Sequence, residues 1–147
     1  MTQTALGRII NISTAASGIS FPLTRAGGIV FAGFEADGST IYTVTEVDST
    51  GTNSEQALPV DGANDFKAPA VGGAWTAGPG TTTATSGVYD LADDATNDML
   101  VIDVQADQLS DGYDSVQCTV DGGILTAVIY DLAVQRIPTN LVSNLTA

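Results

Sequence analysis

The stretch MLVIDVQA, residues 99–106, sets Leu100, Ile102 and Val104 at every second position. A two-residue period puts alternate side chains on opposite faces of an extended strand, whereas a helix needs apolar residues every three to four positions. Comparable segments recur in GGIVFAGFE, TIYTVTEVD, SVQCTV and ILTAVIYDLAVQ, with β-branched and aromatic residues inside them and Gly, Pro, Asn and Asp between them. No segment carries a long helical period. The pattern predicts an all-β fold, a sandwich or partly open barrel of about seven to nine strands with helix limited to a turn or two. At 147 residues a chain buries roughly two-thirds of its unfolded surface, enough for one core without staples, and residues 1–147 read as a single domain.

Turn chemistry refines this outline. ADGS between the second and third of these segments reads as a hairpin tip at Asp37-Gly38, with Ile41, Thr43, Thr45 and Val47 on one face of the next strand and Tyr42 and Val44 on the other. DGG reads as a second hairpin, joining SVQCTV to ILTAVIYDLAVQ. Residues 49–86 are rich in Gly, Pro, Thr and Ser and read as loops, with short strands at QALPV and AWTA that would pair, and Trp75 as a core or loop anchor. The corner DQLSDGYD resembles that of a Greek-key sandwich, in which a tyrosine hydroxyl, here that of Tyr113, bonds back to the backbone.

Absences narrow the chemistry. The chain has no histidine, which excludes Ser-His-Asp, Cys-His and histidine-zinc sites together. The glycine-rich GPGTTTATSG has no lysine and opens no helix, so it is no phosphate loop. Cys118 cannot form an internal disulfide and falls where a small buried hydrophobe is expected. Asp90, Asp93, Asp94 and Asp98 crowd YDLADDATND, but they lack the alternating acids, mid-loop glycine and terminal glutamate of a calcium loop, and they read as a solvated turn. A carboxylate-pair hydrolase would have no positioned acid. The expectation is a protein with no catalytic residues, no metal and no cofactor.

Charge is the strongest compositional signal. Seventeen Asp and Glu face four Lys and Arg, a formal net charge of −13, and residues 68–135 hold ten Asp and no cation. Arg8, Arg25, Lys67 and Arg136 cannot neutralise a run of phosphates, so no nucleic-acid binding is expected. The acidic surface reads as a solvated face or as complementary to a basic partner. MTQTALGRIINIS lacks a cationic start followed by an apolar run, and no run approaches membrane-span length, so the expectation is a product made in the cytoplasm with no membrane contact.

The carboxy-terminal third, MLVIDVQADQLSDGYDSVQCTVDGGILTAVIYDLAVQRIPTNL, resembles the end of a group of small structural proteins from tailed bacteriophages, especially those of actinobacterial hosts. There a strand, a DLSDGY-type corner, a hairpin and an HDLxVQRxPxNL-type ending succeed one another. Residues 98–141 match, and STIYTVTEVDSTGT resembles the group's second strand more loosely. Tyr130 stands where the group has histidine, so no role of that side chain carries over. The resemblance implies a virion component. It points to a decoration or cement protein on the outer face of the head, with the major capsid protein and further copies of itself, as a homotrimer, for partners. A tail or neck component is the alternative. A carbohydrate-binding β-module is another, with Trp75, Tyr42, Tyr89 and Tyr113 as stacking faces.

The segment YDLAVQRIPTN carries the core strand's alternation to Val134, and Pro138, which has no N–H for a ladder, then ends it. Residues 136–147 read as an extended arm too apolar for a free tail, folded back on its own domain or docked on a neighbour. Its candidate interface residues are Arg136, Ile137, Pro138, Leu141 and Leu145, with Arg8 in a possible amino-terminal arm, residues 1–12.

Overall fold

The computed structural model describes residues 10–14, 19–34, 41–58, 65–68, 74, 76–78, 88–90 and 99–133. Eleven strands lie among them: β1 (Ile10–Thr14), β2 (Ser20–Pro22), β3 (Gly28–Phe34), β4 (Ile41–Val47), β5 (Gln56–Ala57), β6 (Asp65–Ala68), β7 (Thr76–Gly78), β8 (Val88–Asp90), β9 (Met99–Gln105), β10 (Ser115–Val120) and β11 (Ile124–Tyr130). They exceed the expected number because β5, β7 and β8 are two or three residues long, too short to show alternation in sequence. The one helical turn among the described residues is a 3-10 segment, Ala106–Gln108.

Two antiparallel sheets face each other. One has the order β1-β11-β3-β9-β6-β7, and the other β2-β10-β4-β5, with β8 also beside β4. The fold is an all-β sandwich, as the alternation predicts. Ile29, Phe31, Leu100, Ile102, Val104, Leu125 and Ala127 point inward from the first sheet, and Phe21, Tyr42, Val44, Val116 and Cys118 from the second. Phe21 and Phe31 meet edge to face across the gap, with centroids 5.9 Å apart, a geometry that suits the ring quadrupoles. Tyr42 lies against Gly33 of the opposite sheet, where any Cβ would overlap its ring.

Both predicted hairpins are overturned. β3 and β4 lie in different sheets, and so do β10 and β11. β10 runs antiparallel to β4, pairing Ser115 with Val47 and Val120 with Tyr42. β11 runs along the whole of β3, from Ile124 opposite Phe34 to Tyr130 opposite Gly28. The physical reason lies on the outward faces. At their centres β10 and β4 turn Gln117, Thr119, Thr43 and Thr45 outward, with Ile41 and Val47 at the ends of β4, whereas β11 and β3 turn out mainly Ile124, Val128, Val30 and Phe34, with Thr126 between. Side chains directly opposite on one face set the pairing energy. A β10–β11 hairpin would set the hydroxyl row against the aliphatic one. Instead Gly122 (φ 125°) and Gly123 (φ 76°) let the chain arch from one sheet to the other.

Three further boundaries move. QALPV contributes β5, which pairs with β4, while AWTA contributes β7, which pairs with β6, so the two lie in different sheets and do not pair. Residues 10–12 belong to β1, which pairs with β11, and are not part of an amino-terminal arm. The last core strand stops at Tyr130 instead of continuing to Val134, because Asp131 takes a left-handed backbone (φ 51°) that breaks the ladder.

Candidate interaction face

The outer face of the six-stranded sheet is built by strict alternation. Successive residues point to opposite sides, so while Ile29, Phe31 and Gly33 of β3 face the core, Val30, Ala32 and Phe34 face outward. The antiparallel register stacks these into rows. Ile12, Val128, Val30 and Asp103 form one, Thr126, Ala32 and Val101 the next, and Ile124, Phe34 and Met99 the third. Eight of these ten side chains are apolar. Ile124 is 65% exposed, Ile12 51% and Phe34 44%. An antiparallel sheet with one wet face normally alternates apolar and polar residues, and the other sheet is the more polar of the two, turning out Ser20, Thr43, Thr45, Ser115, Gln117 and Thr119 beside Pro22, Ile41 and Val47. The sandwich is therefore two-faced on its outside.

At one end the aliphatic rows give way to acids. Tyr130 lies over Gly28, whose missing side chain leaves room for the ring, and donates a hydrogen bond to Asp103 Oδ1 at 2.8 Å. This pins β11 to β9 across β3. Desolvation, then the bond to Asp103, then the charges of Asp103, Asp131 and Asp107 push the phenol above its usual range. Those three carboxylates form an acidic margin to the apolar field, with Asp107 and Asp131 exposed.

A second polar cluster lies between the β4–β5 loop and the corner before β10. Glu46 points into the core with no exposed surface, and its carboxylate accepts bonds from the N–H and hydroxyl of Ser110, both at 3.0 Å, and from Gln56 at 3.4 Å. Asp48 accepts from Thr50, Thr52 and Asn53, and these bonds hold its carboxyl down at about 2. Desolvation would raise Asp114, but the bonds from the Ser49 hydroxyl and N–H and from Ser115 outweigh it and hold that carboxyl low. The Tyr113 hydroxyl donates to the Ser54 carbonyl at 2.8 Å. It bonds to the backbone as a corner tyrosine does, but to the β4–β5 loop 59 positions away, so it clamps two loops together. Glu46, Asp48 and Asp114 are each engaged in holding the loops, and their arrangement is structural.

The residues singled out in sequence fall variously. Arg8, Arg136, Ile137, Pro138, Leu141 and Leu145 lie outside the described residues, as do Trp75, Asp93, Asp94 and Asp98. Asp90 ends β8. Tyr42 is fully buried and offers no stacking face to a sugar. Cys118 is buried, and desolvation pushes its thiol well above the usual range, which keeps it unreactive at neutral pH. Among the described residues no group of three or more acids or cysteines is placed to hold a metal ion. The two-faced exterior is a feature the strand assignments did not draw out. Its signal is the near-continuous apolar run of GIVFAGF and ILTAVIY, the pattern of strands covered on both sides. Comparison with known protein families, curated proteins and solved structures finds no match.

Proposed function

We propose that this protein is a structural component of a tailed-bacteriophage virion, a non-enzymatic decoration protein bound to the outside of the head, with the major capsid protein and further copies of itself as partners. The observation that carries the reading is the apolar outer face of the six-stranded sheet, with Ile12, Phe34 and Ile124 exposed on it. Exposed apolar fields of this kind mark surfaces made to meet other surfaces. The phage-like ending in residues 98–141 and the histidine-free composition agree with it.

Magnitudes suit a lattice binder. Burying the exposed parts of those three side chains contributes about 1–2 kcal/mol each, a sum no larger than the several kcal/mol that association costs in lost freedom. One copy alone is held weakly. Copies repeated on a symmetric shell, touching both shell and neighbours as a homotrimer does, gain avidity without any new kind of contact. Localisation by density in intact particles tests the reading. Copies on the outer head surface are expected, and copies found in the tail or neck, or none in the virion, would overturn it.

A further inference from the structure

We infer that the outer face of the six-stranded sheet fits a partner surface with an apolar centre and cationic side chains at one margin, oriented so that the cations meet Asp103, Asp107 and Asp131. This rests on the decoration reading and names the chemistry of the shell surface it requires.

The face is asymmetric along its strands. Ile124 and Phe34 occupy one end. The other holds Tyr130, bonded to Asp103, with exposed Asp131 next in the chain against Gly27 and exposed Asp107 two residues past Gln105, the partner of Gly28. A partner that covers the aliphatic rows also encloses this margin, and carboxylates brought under a low-dielectric contact need opposite charge to remain ionised. Complementary charge at the rim also fixes the orientation of docking and speeds encounter. A second copy of this chain is a poor occupant, because face-to-face apposition would bring together two molecules of formal charge −13 each, with few cations to offset them. A neutral apolar partner would leave the margin unpaired. What remains is a surface bearing Arg or Lys beside aliphatic or aromatic side chains.

The test uses the full-length protein and purified heads lacking it, with binding measured at low and high salt. Ile124→Asp puts a charge in the apolar field. Asp107→Asn with Asp131→Asn removes two exposed charges, and asparagine tolerates the left-handed backbone at 131. Glu55→Gln, an exposed acid beyond the other sheet's β4, controls for the loss of a surface charge away from this face. Wild type is expected to bind, more weakly as salt rises. The double variant should bind about tenfold more weakly at low salt and converge with wild type at high salt, Ile124→Asp should lose binding, and Glu55→Gln should bind as wild type does. Phe34→Asp supplies the same reading should Ile124→Asp fail to fold. Heads bound equally by the Ile124 and Phe34 variants would overturn the docking face and leave the decoration reading standing. Salt-independent binding, or a double variant equal to wild type, would overturn the cationic partner. A change in the free protein's oligomeric state caused by Ile124→Asp would assign the face to a second copy. Failure of wild type to bind heads, with none of it in virions, would overturn the decoration reading as well.

Discussion

Asp48 accepts five hydrogen bonds from three residues of its own loop, and an ionised carboxylate is what those donors require. Its carboxyl sits at about 2 when folded against an ordinary 3.8. A depressed carboxylate stabilises the fold above its unfolded value, and that contribution is lost as pH falls through the folded one. Chemical denaturation of Asp48→Ala and wild type should therefore differ most above about pH 4 and converge near pH 2. Tyr130 has the opposite sign. Its phenol is favoured neutral, so what it contributes is present below the ordinary phenol range and fades as pH climbs through its raised folded value. Tyr130→Phe should cost about 1 kcal/mol at neutral pH through the lost bond to Asp103. It should also remove a phenol that ionises above the ordinary range in an absorbance titration of the folded protein.

Among the elements, the arch between β10 and β11 is where neighbouring strands part to opposite sheets. Gly122 and Gly123 both take positive φ there, and a side chain in that region costs roughly 1–2 kcal/mol per residue. Added room does not relieve the cost at Gly122, where a Cβ would meet nothing within 4 Å. Gly122→Ala should thus destabilise by about 1–2 kcal/mol through backbone strain alone, measurable as a lower urea midpoint with an unchanged slope. An equal midpoint would mean that the arch tolerates another conformation. The corner from β9 to β10 is held by side chains instead, through Glu46 to Ser110 and Tyr113 to Ser54.

For the molecule as a whole, a formal charge of −13 on 147 residues opposes compaction through self-repulsion. Screening grows sharply between about 0.01 M salt, with a Debye length near 30 Å, and about 0.15 M, near 8 Å. The melting temperature should rise across that range at neutral pH and level off above it. A flat or falling salt response in calorimetry would mean that attractive pairs dominate the acidic surface. The same charge discourages face-to-face association of free copies, which matters for a protein with so apolar a flank.

Much of this was legible in the residues alone. Alternation in MLVIDVQA placed Leu100, Ile102 and Val104 on a single buried face, and SVQCTV placed Cys118 inside, because a two-residue period leaves only the choice of which face meets the core. Missing histidine bounded the chemistry without any knowledge of the fold. Strand partners were a different matter. ADGS and DGG are consistent with a hairpin or an arch, since local turn chemistry says how the chain bends and not which sheet it enters. That choice was made between distant segments, when Thr43 and Thr45 of β4 met Thr119 and Gln117 of β10, and Val30 and Phe34 of β3 met Val128 and Ile124 of β11. Glu46 shows the same limit. Its place in the alternation of TIYTVTEVD points it inward, but only the approach of Ser110, 64 positions away, makes a carboxylate tolerable there. Pair energies across a sandwich belong to residues far apart in the chain, and they exist only once the tertiary structure has brought those residues together.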